Sequence, residues 1–126
     1  MSQEEQPQSL FELATRVRSF RFAIQGLLTL LRTQPNARIH MCATLIVIVM
    51  GIVFDISRID WLFLCVAIAM VWVAEALNTA IEHLADAVFP EYHPHIEKAK
   101  DTAAAAVLIA AAIALLIGLL VFGPYW

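Results

Sequence analysis

The chain has 126 residues, 61% of them hydrophobic, a formal charge of −3 and a mean hydropathy of +0.77. Soluble domains carry roughly 45–50% apolar residues, so this composition excludes an ordinary soluble fold. The length holds three membrane spans of about 20 residues each but hardly a separate soluble catalytic domain. With so small a charge and no basic run longer than two residues, a nucleic-acid partner is not expected.

Residues 1–8 (MSQEEQPQ) are polar and contain a proline, which predicts a disordered tail ahead of a single membrane domain over 9–126. No signal peptide is expected, because Met1 to Leu10 is polar and acidic. Over residues 9–32 apolar side chains recur at helical spacing (Leu10, Leu13, Val17, Phe20, Ile24, Leu27, Leu28, Leu31), with Arg16, Arg18, Arg21 and Arg32 among the rest. This predicts a basic amphipathic helix lying at an anionic membrane surface, its arginines among the headgroups.

Thr33-Gln34-Pro35-Asn36 breaks that helix, and proline suits the first turn of the next. Three spans are then expected, at about 37–55, 60–88 and 101–122. A short loop, Asp55 to Asp60, joins the first two, and a polar connection, Glu91 to Lys98, leads to the third. The fold class is therefore an all-α membrane protein, a surface helix followed by three transmembrane helices. Arg16, Arg18, Arg21, Arg32 and Arg38 precede the first span and Lys98 and Lys100 the third, whereas only Arg58 lies in the other loop. The positive-inside rule places the N-terminus and the 89–101 loop in the cytoplasm, with the C-terminus outside. Cys42 and Cys65 then lie near opposite membrane faces, too far apart to pair, and read as packing residues.

The middle span carries the most informative stretch, Glu75-Ala-Leu-Asn78-Thr79-Ala-Ile-Glu82-His83-Leu-Ala-Asp86. At about 100° per residue, Glu75, Glu82 and Asp86 share one helix face, flanked by Asn78 and Thr79. The run before it, Trp61 to Ala74, has no charged residue. Fourteen residues from Trp61, Glu75 lies roughly 21 Å into a core about 30 Å thick. Ionisable groups at that depth are costly and usually face a bundle interior or a water-filled site. His40 and Lys100-Asp101 start their spans at a similar level, so the unusual polar residues converge where a water-soluble donor could meet a lipid headgroup. Ala106, Ala110 and Ala114 recur at four-residue spacing in the third span, which predicts a close-packing face and an oligomer contact.

There is neither a GxxxxGK[ST] loop nor a GxGxxG turn. A nucleotide would have to be held through carboxylate-bound metal and a few cations. Mg²⁺ favours carboxylate and phosphate oxygens, and Glu82 is the candidate ligand. Glu75, deeper and partly desolvated, suits a base acting on a hydroxyl at the lipid level. Lys100 suits contact with the transferred phosphate, whereas Asp101 reads equally as an N-cap of the third span. His83, His93 and His95 lack the sulfur partners and spacing of a zinc set.

The run E-A-L-N-T-A-I-E-H-L-A-D at 75–86, E-Y-H at 91–93, A-K-D at 99–101 and R-S-F-x-x-A-x-x-G at 18–26 resemble the prokaryotic diacylglycerol kinase and undecaprenol kinase family over about residues 15–122. The resemblance implies a homotrimer of three-span subunits in a bacterial plasma membrane, with active sites shared between neighbours. It implies an ATP-dependent, Mg²⁺-assisted kinase acting on a membrane lipid alcohol. It makes Glu75 the catalytic base, Glu82 a metal and ATP contact, and Asn78 a site-organising residue. Glu91, Tyr92, His93, Lys100 and Asp101 would contact ATP. Thr79, Asp86, His40, Arg38 and Arg18 are further candidates for organising the site or meeting lipid. The family often has a second metal-binding glutamate where this chain has Gln34, and His40 fits the undecaprenol kinase branch better. Two competing readings are a non-enzymatic membrane subunit with Glu75 as proton carrier, and a kinase-like chain weakened at Gln34.

Overall fold

The computed structural model describes residues 5–125, with side-chain surroundings from Gln8 onward. The elements are α1 (Glu5–Thr33), α2 (Pro35–Val53), α3 (Arg58–Val88), α4 (Pro94–Phe122) and a terminal 3-10 turn (Gly123–Tyr125). Among the described residues there is no strand. The chain separates into two compact units at Thr33/Gln34.

The first unit contains α1, a helix of 29 residues. It takes in Glu5 to Gln8, which the sequence assigned to the tail; residues 1–4 lie outside the described residues. The hydroxyls of Thr15, Ser19 and Thr33 each donate to the carbonyl four residues earlier, at 2.7–3.0 Å, so these polar groups are satisfied within the helix. Its apolar surface is broader than one stripe. Phe11 and Phe22 are exposed along with Leu10, Leu13, Val17, Phe20 and Ile24, though they sit more than about 100° round the helix from that stripe's centre.

The second unit holds three helices long and apolar enough to cross a membrane. α3 packs extensively along α4 and more sparingly against α2. Its 31 residues reach about 46 Å, beyond a hydrocarbon core of about 30 Å, so one end must emerge. α4 buries Ala103 and Ala110, small residues that permit close helix approach. Ala106, expected on the same packing face, is exposed.

Backbone chemistry sets the helix limits. α2 ends in a Schellman arrangement, with Ile56 N–H donating to the Gly51 carbonyl and Asp55 N–H to that of Ile52, both at 3.2 Å. Asp55 takes the left-handed position at φ 49°, which aspartate tolerates better than most residues. Ser57 then caps α3, its Oγ accepting from Asp60 N–H at 3.1 Å. α4 begins at Pro94, well before residue 101, because His93 is the cap: its Nδ1 accepts from His95 N–H at 3.1 Å and proline takes the first turn. Asp101 therefore lies two turns inside the helix, which overturns its reading as an N-cap.

The apolar core sits at the end of the bundle nearest the α2–α3 turn, where Ile56, Leu64, Val121 and Phe122 are buried against Phe54 and Trp61. Phe54 also stacks on Tyr125 with ring centroids 5.6 Å apart. Gly51 is part of this joint, since a Cβ there would lie 2.6 Å from the Trp61 ring. Gly51→Ala gains about 1 kcal/mol of helix propensity but faces an overpacking cost of about 1–3 kcal/mol. We expect a lowered thermal midpoint for this variant in detergent; an unchanged or raised midpoint would show that the ring yields freely.

Candidate active site

At the other end of α3 the core gives way to polar groups. Glu75, Asn78 and Thr79 are the buried polar residues among those described, and Glu75 is only 1% exposed. Glu75 Oε2, Asn78 Oδ1 and Thr79 Oγ1 each lack a hydrogen-bond partner. An unsatisfied buried polar group costs about 1–3 kcal/mol, so three in little more than one helical turn mark a place kept polar against stability. Further along the same face Glu82 is half-buried and Asp86 exposed, as expected for a helix climbing out of an apolar layer.

His40 on α2 approaches this group, with Nε2 3.6 Å from Glu75 Oε2. Its turn is tied to α3. The Thr44 hydroxyl donates to the His40 carbonyl at 2.7 Å and accepts from Trp72 Nε1–H at 3.1 Å. A cavity of about 300 Å³ lies here, lined by Asn36 and His40 from α2, Glu75 and Asn78 from α3, and Val107 and Leu108 from α4. An apolar crevice of about 360 Å³ runs between the same three helices to Phe122 and shares His40 and Ala111 with it. A greasy slot thus adjoins the buried carboxylate.

A second, polar cavity of about 260 Å³ lies where α3 meets α4, lined by Asp86, Glu91, Tyr92, His93, Lys100 and Asp101 with apolar neighbours. Lys100 Nζ is ion-paired with Asp86 Oδ1. The Tyr92 hydroxyl donates to Glu97 Oε2 at 2.7 Å, and this bond holds its pKa above the ordinary phenol value. The His93 ring lies against Phe89, with centroids 5.9 Å apart.

The structure thus groups the candidates in two places. Glu75, Asn78 and His40 line one cavity, and Asp86, Glu91, Tyr92, His93, Lys100 and Asp101 the other. Thr79 is buried next to the first group, Glu82 lines neither cavity, and Arg38 is exposed on α2. Gln34 caps α2 through its backbone, with no capping bond from its side chain. Arg18 belongs to the separate α1 unit. Among the described residues no three His, Cys, Asp or Glu side chains converge to cage a metal. Sequence reasoning missed Thr44, Trp72 and Glu97. The only hints were a threonine one turn after His40 and a tryptophan one turn before Glu75.

A buried acid beside an apolar slot thus sits on a helix that leads to a polar cavity with a lysine. The profile of the prokaryotic diacylglycerol kinase family matches residues 21–122. The chain is 38% identical to the undecaprenol kinase of Bacillus subtilis over 113 residues, 90% of this chain and 92% of that one. It is also 38% identical to a Synechocystis diacylglycerol kinase over 79% of its own length and 58% of the relative. For the Escherichia coli K12 diacylglycerol kinase the identity is 36%, over 59% and 61%. The chain belongs to the prokaryotic diacylglycerol kinase family and is a membrane lipid kinase. This sets aside the reading of a non-enzymatic, proton-carrying subunit.

Two substitutions probe the geometry. Thr79→Val removes an unsatisfied hydroxyl while keeping the shape, so the thermal midpoint should stay level or rise; a clear fall would reveal a partner for Oγ1. Asp86→Asn should change stability by less than about 1 kcal/mol, since its pair with Lys100 is exposed. A larger loss on denaturation would assign the pair a structural role.

Proposed function

We propose that this kinase transfers the γ-phosphoryl group of ATP to the hydroxyl of a membrane lipid alcohol, with Glu75 as the base. The observation that carries this reading is the buried Glu75 carboxylate, its Oε2 without a hydrogen-bond partner, at the junction of the apolar crevice and the polar cluster. A hydroxyl entering from the crevice would donate to Glu75 Oε2, and Asn78 Oδ1 is free to orient it. The carboxylate takes the hydroxyl proton as the new P–O bond forms and the γ-phosphoryl leaves ADP. Phosphoryl transfer needs mainly positioning and charge neutralisation, which so small a set of side chains can supply.

The cavity at the α3–α4 junction is the proposed nucleotide site, with Glu91, Tyr92, His93 and Asp101 around ATP. Lys100 would exchange Asp86 for phosphate, an easy change because the ion pair is exposed. Mg²⁺ would be held by the hard carboxylate of Glu82 and the amide oxygen of Gln34, donor types that suit it, with the nucleotide phosphates supplying other ligands. When bound, the ion neutralises charge on the β- and γ-phosphates. Undecaprenol is the first acceptor to test, because the relative named for it aligns over nearly all of both chains, with diacylglycerol second.

The remaining features follow the same reading. The family resemblance implies homotrimers with shared sites, and assembly of some kind is supported by the way three spans enclose a polar site only incompletely. α1, with Arg18 among its basic residues, lies on the cytoplasmic face of a bacterial plasma membrane. The cytoplasmic N-terminus and outward C-terminus rest on the arginine and lysine asymmetry.

Glu75→Gln should abolish phosphorylation of both lipids in detergent while ATP binding is largely kept; continued turnover of either lipid would overturn the assignment. Gln34→Glu should lower the Mg²⁺ concentration for half-maximal activity. An unchanged Mg²⁺ dependence would remove residue 34 from the metal site.

A further inference from the structure

We infer that His40 is the proton exit for Glu75, taking the proton that the carboxylate strips from the acceptor hydroxyl and releasing it to interfacial water. This rests on the proposed role of Glu75 as base. Each turnover leaves a proton on Glu75, and the carboxylate must lose it before acting again. At 1% exposure the carboxylate itself meets almost no bulk water. α2 contributes Asn36, Ile39 and His40 to the cavity around it, α3 contributes Asn78, and α4 only Ala104, Val107, Leu108 and Ala111. Among the described residues His40 is thus the one other titratable group lining this cavity, and α4 presents no charge there.

The geometry matches the task. His40 Nε2 is 3.6 Å from Glu75 Oε2, so a shift of a few tenths of an ångström makes a hydrogen bond. The His40 side chain is 18% exposed and therefore touches both the buried acid and the outside. The Trp72–Thr44–His40 chain of hydrogen bonds fixes the turn that carries the ring. In the step, the O–H bond of Glu75 breaks as an N–H bond forms on the neutral imidazole. The imidazolium then gives a proton to water, returning carboxylate and imidazole to their starting states. Histidine suits such a shuttle because one imidazole ring can both accept and donate a proton through its two nitrogens. His40 acts through Glu75 and touches no reacting atom.

The test is lipid phosphorylation by full-length protein in detergent micelles, comparing wild type, His40→Asn, His40→Gln and Glu75→Gln across pH, with and without added imidazole. Both His40 variants should show kcat about tenfold lower near neutral pH, less than the 10²–10⁴-fold typical of losing an acid–base group itself. The KM for ATP should be unchanged. Their activity should recover as pH rises and water and hydroxide take over, and imidazole should restore it near neutrality. A loss equal at all pH values and unrelieved by imidazole would mean a structural role and overturn the relay. Wild-type behaviour of both His40 variants beside an inactive Glu75→Gln would overturn the relay while sparing the base. An active Glu75→Gln would remove both.

Discussion

The structure turns on a carboxylate held where a carboxylate is expensive. Glu75 sits on a helix whose preceding turns are apolar, is almost fully covered, and has one oxygen with no hydrogen-bond partner. Burying an ionisable group with an unsatisfied oxygen is among the costlier choices in a protein, and more so at membrane depth. Asn78 Oδ1 and Thr79 Oγ1 repeat the deficit alongside it. The apolar joint at the opposite end of the bundle, built on Ile56, Leu64, Val121, Phe122 and the Gly51–Trp61 contact, holds the helices together away from this point. The apolar joint and the buried polar group thus lie at different levels of the same helices.

Length makes that division possible. α3 is longer than a hydrocarbon core is thick, so one helix carries the buried acid at one level and Asp86 at another. α4 starts early, on the His93 cap, and its added turns bring Lys100 onto Asp86 and build the polar cavity. An apolar crevice and a polar, charged cavity thereby lie at separate places along α3 and α4. This chain, a lipid kinase of its family, has neither of the common glycine-rich phosphate-binding motifs.

Much of this was legible in the sequence. Charges interrupting long apolar runs give the three spanning helices, and the angular coincidence of Glu75, Glu82 and Asp86 gives the acidic face. The family motif then draws attention to 91–93 and 99–101, which the structure gathers in one cavity. What stayed hidden depends on contacts between helices or on local capping. Asp101 looked like a cap because the polar residues before it hid a helix start that His93 Nδ1 supports. Residues 5–8 looked like tail because proline and polar side chains do not exclude a first helical turn. His40 facing Glu75 is a matter of register between α2 and α3, which no spacing within one helix encodes.

The most direct measurement is labelling with a hydrophobic carbodiimide, which attacks carboxyls shielded from water. Purified kinase treated with it in detergent would be mapped by mass spectrometry and assayed at each extent of reaction. The account predicts that modification of Glu75 and loss of lipid phosphorylation rise together, and that the lipid alcohol, more than ATP alone, protects both. Full activity in protein modified at Glu75 would contradict it.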